Sequence, residues 1–289
     1  MRFASLDQYL QKAPEILSKG PICLMLAEDE TEVVATIRHH LDLGFKHLVM
    51  FGATDIALPE AVEAKIIRVD HDMFRDNALT DAVNGTIEAA AGQWLYYCYN
   101  AEFLFYPFCE NRAVGEMLAF HTEERRESML TYVVDLYASD LKNARNGVSI
   151  EDACLDKSGY YALARLDAAN HNHPFERQLD FFGGLRWRFE EYIPQERRRI
   201  DRIAIFRAAK GLRLRPDHTF NIDEYNTYAC PWHHNLTAAI CSFRTAKALC
   251  RNPGSASKIN TFTWYNSTPF TWHSQQLLDF GLMEPGQWF

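Results

Sequence analysis

Along the N-terminal third of the chain, short unbroken apolar runs alternate with segments whose apolar positions recur at helical spacing. Residues 1–20 read as a polar amphipathic lead-in helix ending near Gly20. Pro21-Ile-Cys-Leu-Met-Leu-Ala27 reads as a strand buried on both faces, because a continuous apolar run leaves no polar side for water. Val33, Val34, Ile37 and Leu41 then fall on one helix face until Gly44 stops it, and His47–Phe51 is a second strand ended by Gly52. This is a βαβ unit, whose right-handed crossover sets both strand ends on one edge of a sheet. Ala64–Val69 follows as a third strand, and Asp76–Gln93 as a helix with Ala82, Val83, Ile87 and Ala90 inward. The aromatic run of residues 94–106 is a fourth strand, stopped by Pro107, and a period of two sets Asn100 and Glu102 on its same face.

The second half is less regular. Met129–Tyr137 and Ile203–Ala208 read as strands, residues 145–180 as polar loop, and Leu236–Leu249 as a helix. The pattern predicts an α/β fold in a single domain, residues 1–289, with a core over 20–225 and a helical, aromatic-rich extension over 226–289. Ligands of open α/β sheets bind beyond the carboxyl ends of the strands. Glu28–Glu30, Thr54 with Asp55, Asp70–Asp72 and Asn100–Glu102 should therefore converge, with Glu28, Asp55 and Glu102 sharing one cleft.

Composition narrows the function classes. The 289 residues carry a net charge of −8, and no long basic run is present, which argues against a nucleic-acid partner. The one basic cluster, Arg197-Arg198-Arg199, sits beside Glu190, Glu191 and Glu196 and reads as a solvated face rather than a polyanion site. Seven cysteines, an odd number without a C-x-x-C pair, read as reduced core thiols of a cytoplasmic protein. No apolar run approaches the roughly 18 residues of a spanning helix, so any membrane contact is expected to be peripheral, at the inner face.

The run from Trp94 to Phe108 resembles the W-x-x-x-x-D-x-D-E-F-L-x-x-P signature of bacterial family-2-like glycosyltransferases. Glu102-Phe103-Leu104 stands at its E-F-L, with Tyr99 and Ala101 at the two metal-binding aspartates; a one-residue shift gives Asn100-x-Glu102 instead. Ala27-Glu28-Asp29-Glu30, His39-His40-Leu41 and Leu43–Phe51 are similar to the family's opening. Gly183-Gly184-x-Arg186-x-Arg188 and Asp217-His218 resemble its G-G-x-R and late histidine, so that the resemblance covers roughly residues 20 to 250.

The resemblance implies a GT-A fold, a Rossmann-like three-layer α/β/α sandwich with a mixed central sheet. It implies an inverting, metal-assisted transfer of sugar from a nucleotide-sugar donor to a polysaccharide or glycoconjugate acceptor, carbohydrate or lipid-linked. Ala27, Glu28, Asp29, Glu30, Asp55, Asp70 and Asn100 would then surround the donor, and Glu102 and His218 would hold Mn²⁺ or Mg²⁺ through oxygen and nitrogen donors. Asp135 and Asp180 are the candidates to take the acceptor's proton.

Each of these residues also has a plainer reading. Glu102 could be a carboxylate paired with an arginine, Glu28–Glu30 an acidic first helical turn, Asp135 and Asp180 structural groups, and His218 a loop residue. The missing aspartates leave open a non-catalytic nucleotide- or carbohydrate-binding protein on the same fold. A zinc hydrolase built on His171 and His173 is a third reading. The aromatic residues of the C-terminal block Tyr228–Phe289, among them Pro231-Trp-His-His-Asn235 and Trp288-Phe289, would either pack the core or stack on sugar rings.

Overall fold

The computed structural model describes residues 1–227 and 235–288. In its first part β1 (Arg2–Phe3), α1 (Leu6–Ile16), β2 (Ile22–Ala27), α2 (Val33–Asp42), β3 (His47–Gly52), α3 (Glu60–Glu63), β4 (Ile67–Asp70), α4 (Ala78–Ala89) and β5 (Trp94–Tyr99) alternate. There follow β6 (Glu102–Phe105), α5 (Val114–Glu123), β7 (Ser128–Asp135), β8 (Tyr137–Ala138), β9 (Ala153–Asp156), β10 (Tyr161–Asp167) and β11 (His173–Phe182). The chain then forms α6 (Gly184–Arg188), β12 (Asp201–Arg207), β13 (Ala238–Ser242), α7 (Arg244–Arg251), β14 (Ser267–Pro269) and α8 (Ser274–Asp279).

The fold is α/β around a large mixed sheet with strand order β1-β4-β3-β2-β5-β12-β7-β13-β6. The strands from β1 to β5 pair in parallel, an arrangement that needs cover on both faces. On one side α1 and α4 pack together, with the Tyr9 hydroxyl 3.2 Å from Thr86 and the Tyr9 ring against Phe51 of β3. On the other lies α2, whose inward residues Val33, Thr36, Ile37 and His40 recur at helical spacing. His40 packs on Tyr96 of β5, with ring centroids 5.3 Å apart.

Beyond β5 the directions mix. β12 is antiparallel to both β5 and β7, β13 runs parallel to β7, and β6 is antiparallel to β13. The carboxyl ends of β2, β5, β7 and β13 and the amino ends of β12 and β6 consequently share one edge of the sheet.

Several expectations need correction. The aromatic run 94–106 is two strands, separated only by Asn100 and Ala101 yet lying at different places in the sheet, β5 inside it and β6 at its far edge. Aromatic residues resume directly beyond the joint, so the pattern reads as one strand with Asn100 as its only polar interruption before Glu102; the turn is made by Asn100 and Ala101, the latter at a left-handed φ of 60°. Asn100 and Glu102 are thus not neighbours on one strand face. Because consecutive strands are separated by three others, this half of the sheet curls around α2, where His39 packs on Phe103 and Phe105 of β6.

The supposed loop 145–180 contains β9 and most of the β10–β11 hairpin, with His171 and His173 exposed at its turn. The segment read as a helix over 236–249 is β13 followed by α7. With β13 inside the central sheet and β14 paired to β9, the described residues after 225 are not a helical extension. The aromatic block serves packing where it is described: Trp288 lies among Tyr106, Phe108 and Phe120, and Trp272 meets Phe103 edge-on at 5.0 Å. Tyr265 is the exception, 87% exposed. The Tyr228–His234 part of that block and Phe289 lie outside the described residues.

The joint predicts a stability contrast. Ala101→Val should cost more than about 1 kcal/mol, since a branched Cβ resists the left-handed conformation. Ala101→Gly should stay within about 1 kcal/mol of wild type, because relief at φ 60° offsets the greater freedom of the unfolded chain. Urea unfolding midpoints of the two variants measure the difference.

Candidate functional site

At the shared strand edge the first fixed group is Glu102. It is fully buried at the start of β6, and both carboxylate oxygens are occupied. Arg202, at the start of β12, donates through Nη1 and Nη2 at 2.7 and 3.0 Å. The backbone N–H of Tyr99 and the hydroxyl of Ser242 donate at 2.8 and 3.1 Å. Burial would raise the Glu102 carboxyl, but Arg202, with Arg244 and the Tyr99 N–H, together outweigh it and hold the group below the ordinary carboxylate value. The Arg202 guanidinium lies over the rings of Tyr97 and Tyr99, at 5.7 and 5.5 Å.

A second layer of cations comes from α7. Arg244, Lys247 and Arg251 stand at i, i+3 and i+7, one face of the helix, and turn toward the loop after β2. Arg244 donates from Nε and Nη2 to Glu28 at 2.9 and 2.5 Å, and its guanidinium lies 3.8 Å from the centroid of the Tyr99 ring. Lys247 and Arg251 reach Asp29 at 3.1 and 2.5 Å. Burial would raise the Asp29 carboxyl, but Lys247 and hydrogen bonds from Thr31 and Asn100 bring it well below its usual value. Asn100 ties the same loop down, accepting from Glu28 N–H at 2.9 Å and donating to Asp29 and the Thr31 carbonyl at 2.7 and 2.9 Å.

Between these groups opens a cavity of about 670 Å³, a size suited to a small organic ligand. Arg202, Arg244, Lys247 and Arg251 line it, joined by Arg186, Arg197 and Arg199, and basic side chains outnumber carboxylates along the wall. Its rim is partly apolar, with Phe74 80% exposed. His218 also lines it, its ring stacked on Tyr97 and Nδ1 2.9 Å from the Tyr97 hydroxyl. The imidazole is driven well below its ordinary value by burial and then by Arg202, Arg244, Arg186 and Arg199, so it stays neutral in a positive field. A separate hollow of about 550 Å³ lies in the 140–152 loop, where Asp140 already bonds Lys142 N–H and Asn143.

The expected site residues are therefore divided. Glu28, Asp29 and His218 line the cavity, and Ala27 ends the strand that carries the first two. Asn100 and Glu102 stand behind the wall and hold it. Exposed Glu30, exposed Asp55 and half-buried Asp70 are not on it, so the shared cleft of Glu28, Asp55 and Glu102 does not form. Asp135 is fully buried outside the wall; Arg186 N–H donates to it at 3.3 Å, its Oδ1 has no hydrogen-bond partner, and burial raises its carboxyl despite Arg186. Gly184 permits that approach, since a Cβ there would fall 2.9 Å from Asp135 Oδ2. Asp180 is paired with Arg165 at 2.7 Å and Arg199 at 3.1 Å.

The residues proposed for Mn²⁺ or Mg²⁺ do not fit a divalent ion. Glu102 has its oxygens saturated by donors, Asn100 is fully engaged, and His218 faces four guanidinium groups. Among the described residues, Cys23, His40 and Cys98 bring ligand atoms within 4.8 Å of one another. They lie in the core beneath α2, off the cavity wall, and burial pushes the Cys98 thiol well above its usual value.

Arg202, Arg244, Lys247 and Arg251 were missed from sequence. The i, i+3, i+7 basic spacing from 244 was a signal for the last three, while Arg197 and Arg199, read as a solvated face, line the cavity. No protein-family model matches the chain, and no curated protein matches it.

Two substitutions test the electrostatics with opposite signs. Glu102→Gln leaves Arg202 buried without its counter-charge and should cost about 3–5 kcal/mol at neutral pH. A carboxyl held below its unfolded value stabilises the fold above about pH 4.3, and that contribution is lost as pH falls through the folded value, so the variant should lack this part of the acid limb. Asp135 is the reverse: a raised carboxyl costs stability as pH rises from about 3.9 through the folded value. Asp135→Asn removes that pH-dependent cost together with the Arg186 ion pair at 3.7 Å, so its stability relative to wild type should improve as pH rises toward 7 and worsen in acid, as followed by denaturant unfolding across pH.

Proposed function

We propose that this chain is a glycosyltransferase, binding a nucleoside-diphosphate sugar in the basic cavity and passing the sugar to a hydroxyl of a polysaccharide or glycoconjugate. The cavity carries the reading: a cleft lined by guanidinium and ammonium groups at the strand edge, beside an exposed ring. Arginine forks match phosphate oxygens in geometry as well as charge, and Phe74 offers a face to a nucleobase. The order β4-β3-β2-β5 adds support, because the chain leaves β2 first toward one edge and later toward the other, the arrangement that opens a nucleotide crevice. A GT-A-type sandwich is consistent with that order. The family-like residues have scaffold roles: His39 meets the Leu104 carbonyl at 2.7 Å, Glu102 positions Arg202, and Gly184 admits Asp135.

In the proposed transfer, the acceptor oxygen bonds to the anomeric carbon as the bond from that carbon to the diphosphate oxygen breaks. The electron pair leaves with the diphosphate, where Arg244 and its neighbours neutralise the developing charge. The acceptor proton passes to a carboxylate. Asp135 and Asp180 do not reach the wall, whereas exposed Glu196 and Asp217 line it without an ion pair among the described residues, and the role is assigned to one of them. No helix among the described residues is long and apolar enough to cross a membrane. A lipid-linked acceptor would be met from the cytoplasmic face as part of this proposal.

The burial of Asp135 and the pairing of Asp180 favour a second reading, a non-catalytic nucleotide- or carbohydrate-binding protein. Release of the nucleotide from a panel of UDP-, GDP- and dTDP-linked sugars, with a CMP-linked sugar as the monophosphate control and with glycan acceptors, separates the two. The transferase reading expects turnover with one donor and a loss on the order of 100-fold in Arg244→Gln. Nucleotide binding without turnover supports the second reading.

A further inference from the structure

We infer that the ligand's diphosphate is neutralised by the protein's own cations, with no divalent metal at the strand end. The inference rests on the donor reading above and specifies how that donor is held.

Three observations meet at one point. First, the carboxylates near the strand end serve the protein: Glu102 accepts from Arg202, Tyr99 and Ser242, Glu28 accepts from Arg244, and Asp29 accepts from Asn100, Lys247 and Arg251. An oxygen-seeking ion would have to displace these donors. Second, the place where the resemblance would put a metal-binding aspartate is Tyr99, whose ring is flanked by Arg244 at 3.8 Å and Arg202 at 5.5 Å. A dication there would be repelled by two fixed positive charges in a partly desolvated setting, whereas a diphosphate would be attracted to both. Third, His218, the other residue the resemblance would give to the metal, lines the same cavity as Arg186, Arg199, Arg202 and Arg244, and its Nδ1 is already engaged by the Tyr97 hydroxyl at 2.9 Å.

The cations also retain donor capacity. Arg244 uses Nε and Nη2 on Glu28, and Nη1 donates to no partner among the described residues. Glu28 and Asp29 act as holders, fixing the cations so that little reorganisation is needed when the anion arrives. The ligand class is thus a diphosphate ester, and inorganic pyrophosphate should compete for the same place.

The test is calorimetric titration of the full chain with UDP, GDP, dTDP and inorganic pyrophosphate, with CMP as the monophosphate control, once in excess EDTA and once with Mn²⁺. One nucleoside diphosphate should bind in EDTA with an affinity within about twofold of that in Mn²⁺, and pyrophosphate should displace it. Arg244→Gln should weaken binding about tenfold or more, equivalent to about 1.4 kcal/mol. Arg251→Gln, at an exposed position, guards against a folding defect in the first variant and should weaken binding by a smaller factor. Binding that appears only with Mn²⁺ overturns the inference and leaves the donor reading standing. Absence of binding in both buffers overturns the donor reading and the inference with it.

Discussion

The Glu102–Arg202 pair is where the chain's topology and its charge distribution meet. Removing two ions from water costs several kcal/mol each unless the remaining donors and acceptors are satisfied. Here Glu102 receives donors from the end of β5, the start of β12 and the end of β13, while itself opening β6. Four strands of the curled half-sheet are thereby pinned at one carboxylate. A hydrophobic replacement of similar volume would meet the packing requirement; it would not place a guanidinium beneath the cavity floor. The interaction is better understood as a positioning device than as a source of net stability.

Much of the parallel half was legible because its physics is local. The unbroken apolar run of β2 and the helical spacing of α2 each state their burial directly in residue order, and the βαβ connection then fixes which edge the ends share. The curled half was not legible in the same way. Ala101 is a residue without the usual left-handed preference, placed inside an aromatic run, so the break between β5 and β6 is marked only by Asn100, a single turn-favouring residue that a continuous strand could equally carry. Likewise Leu236–Leu249 is apolar enough for either a helix or a strand followed by a helix. Neighbouring strands, not intrinsic preference, selected the strand for residues 238–242.

The site was half visible for a related reason. Acidic residues after strands draw attention, and Glu28 and Asp29 are indeed on the cavity wall. Their role depends on partners that are remote in sequence. Alone they suggest ligands for a cation from solution; with Arg244, Lys247 and Arg251 opposite, they become the anchors of a surface that attracts anions. Glu102 shows the same inversion, and the plainer alternative of an arginine partner is the one the fold adopts.

The Glu28–Arg244 contact joins residues 216 positions apart, and the Asp29–Arg251 contact joins residues 222 apart. Contacts of such sequence separation form only after the intervening chain has been confined, with its loop-closure entropy already lost. Emerging from a ribosome, the chain can assemble β2 to β5 early, since these four strands pair with one another before the later strands exist. It has no assembled anion site until β13 has entered the sheet and α7 has docked behind it, so ligand competence follows the making of that distant segment and arrives together with completion of the sheet.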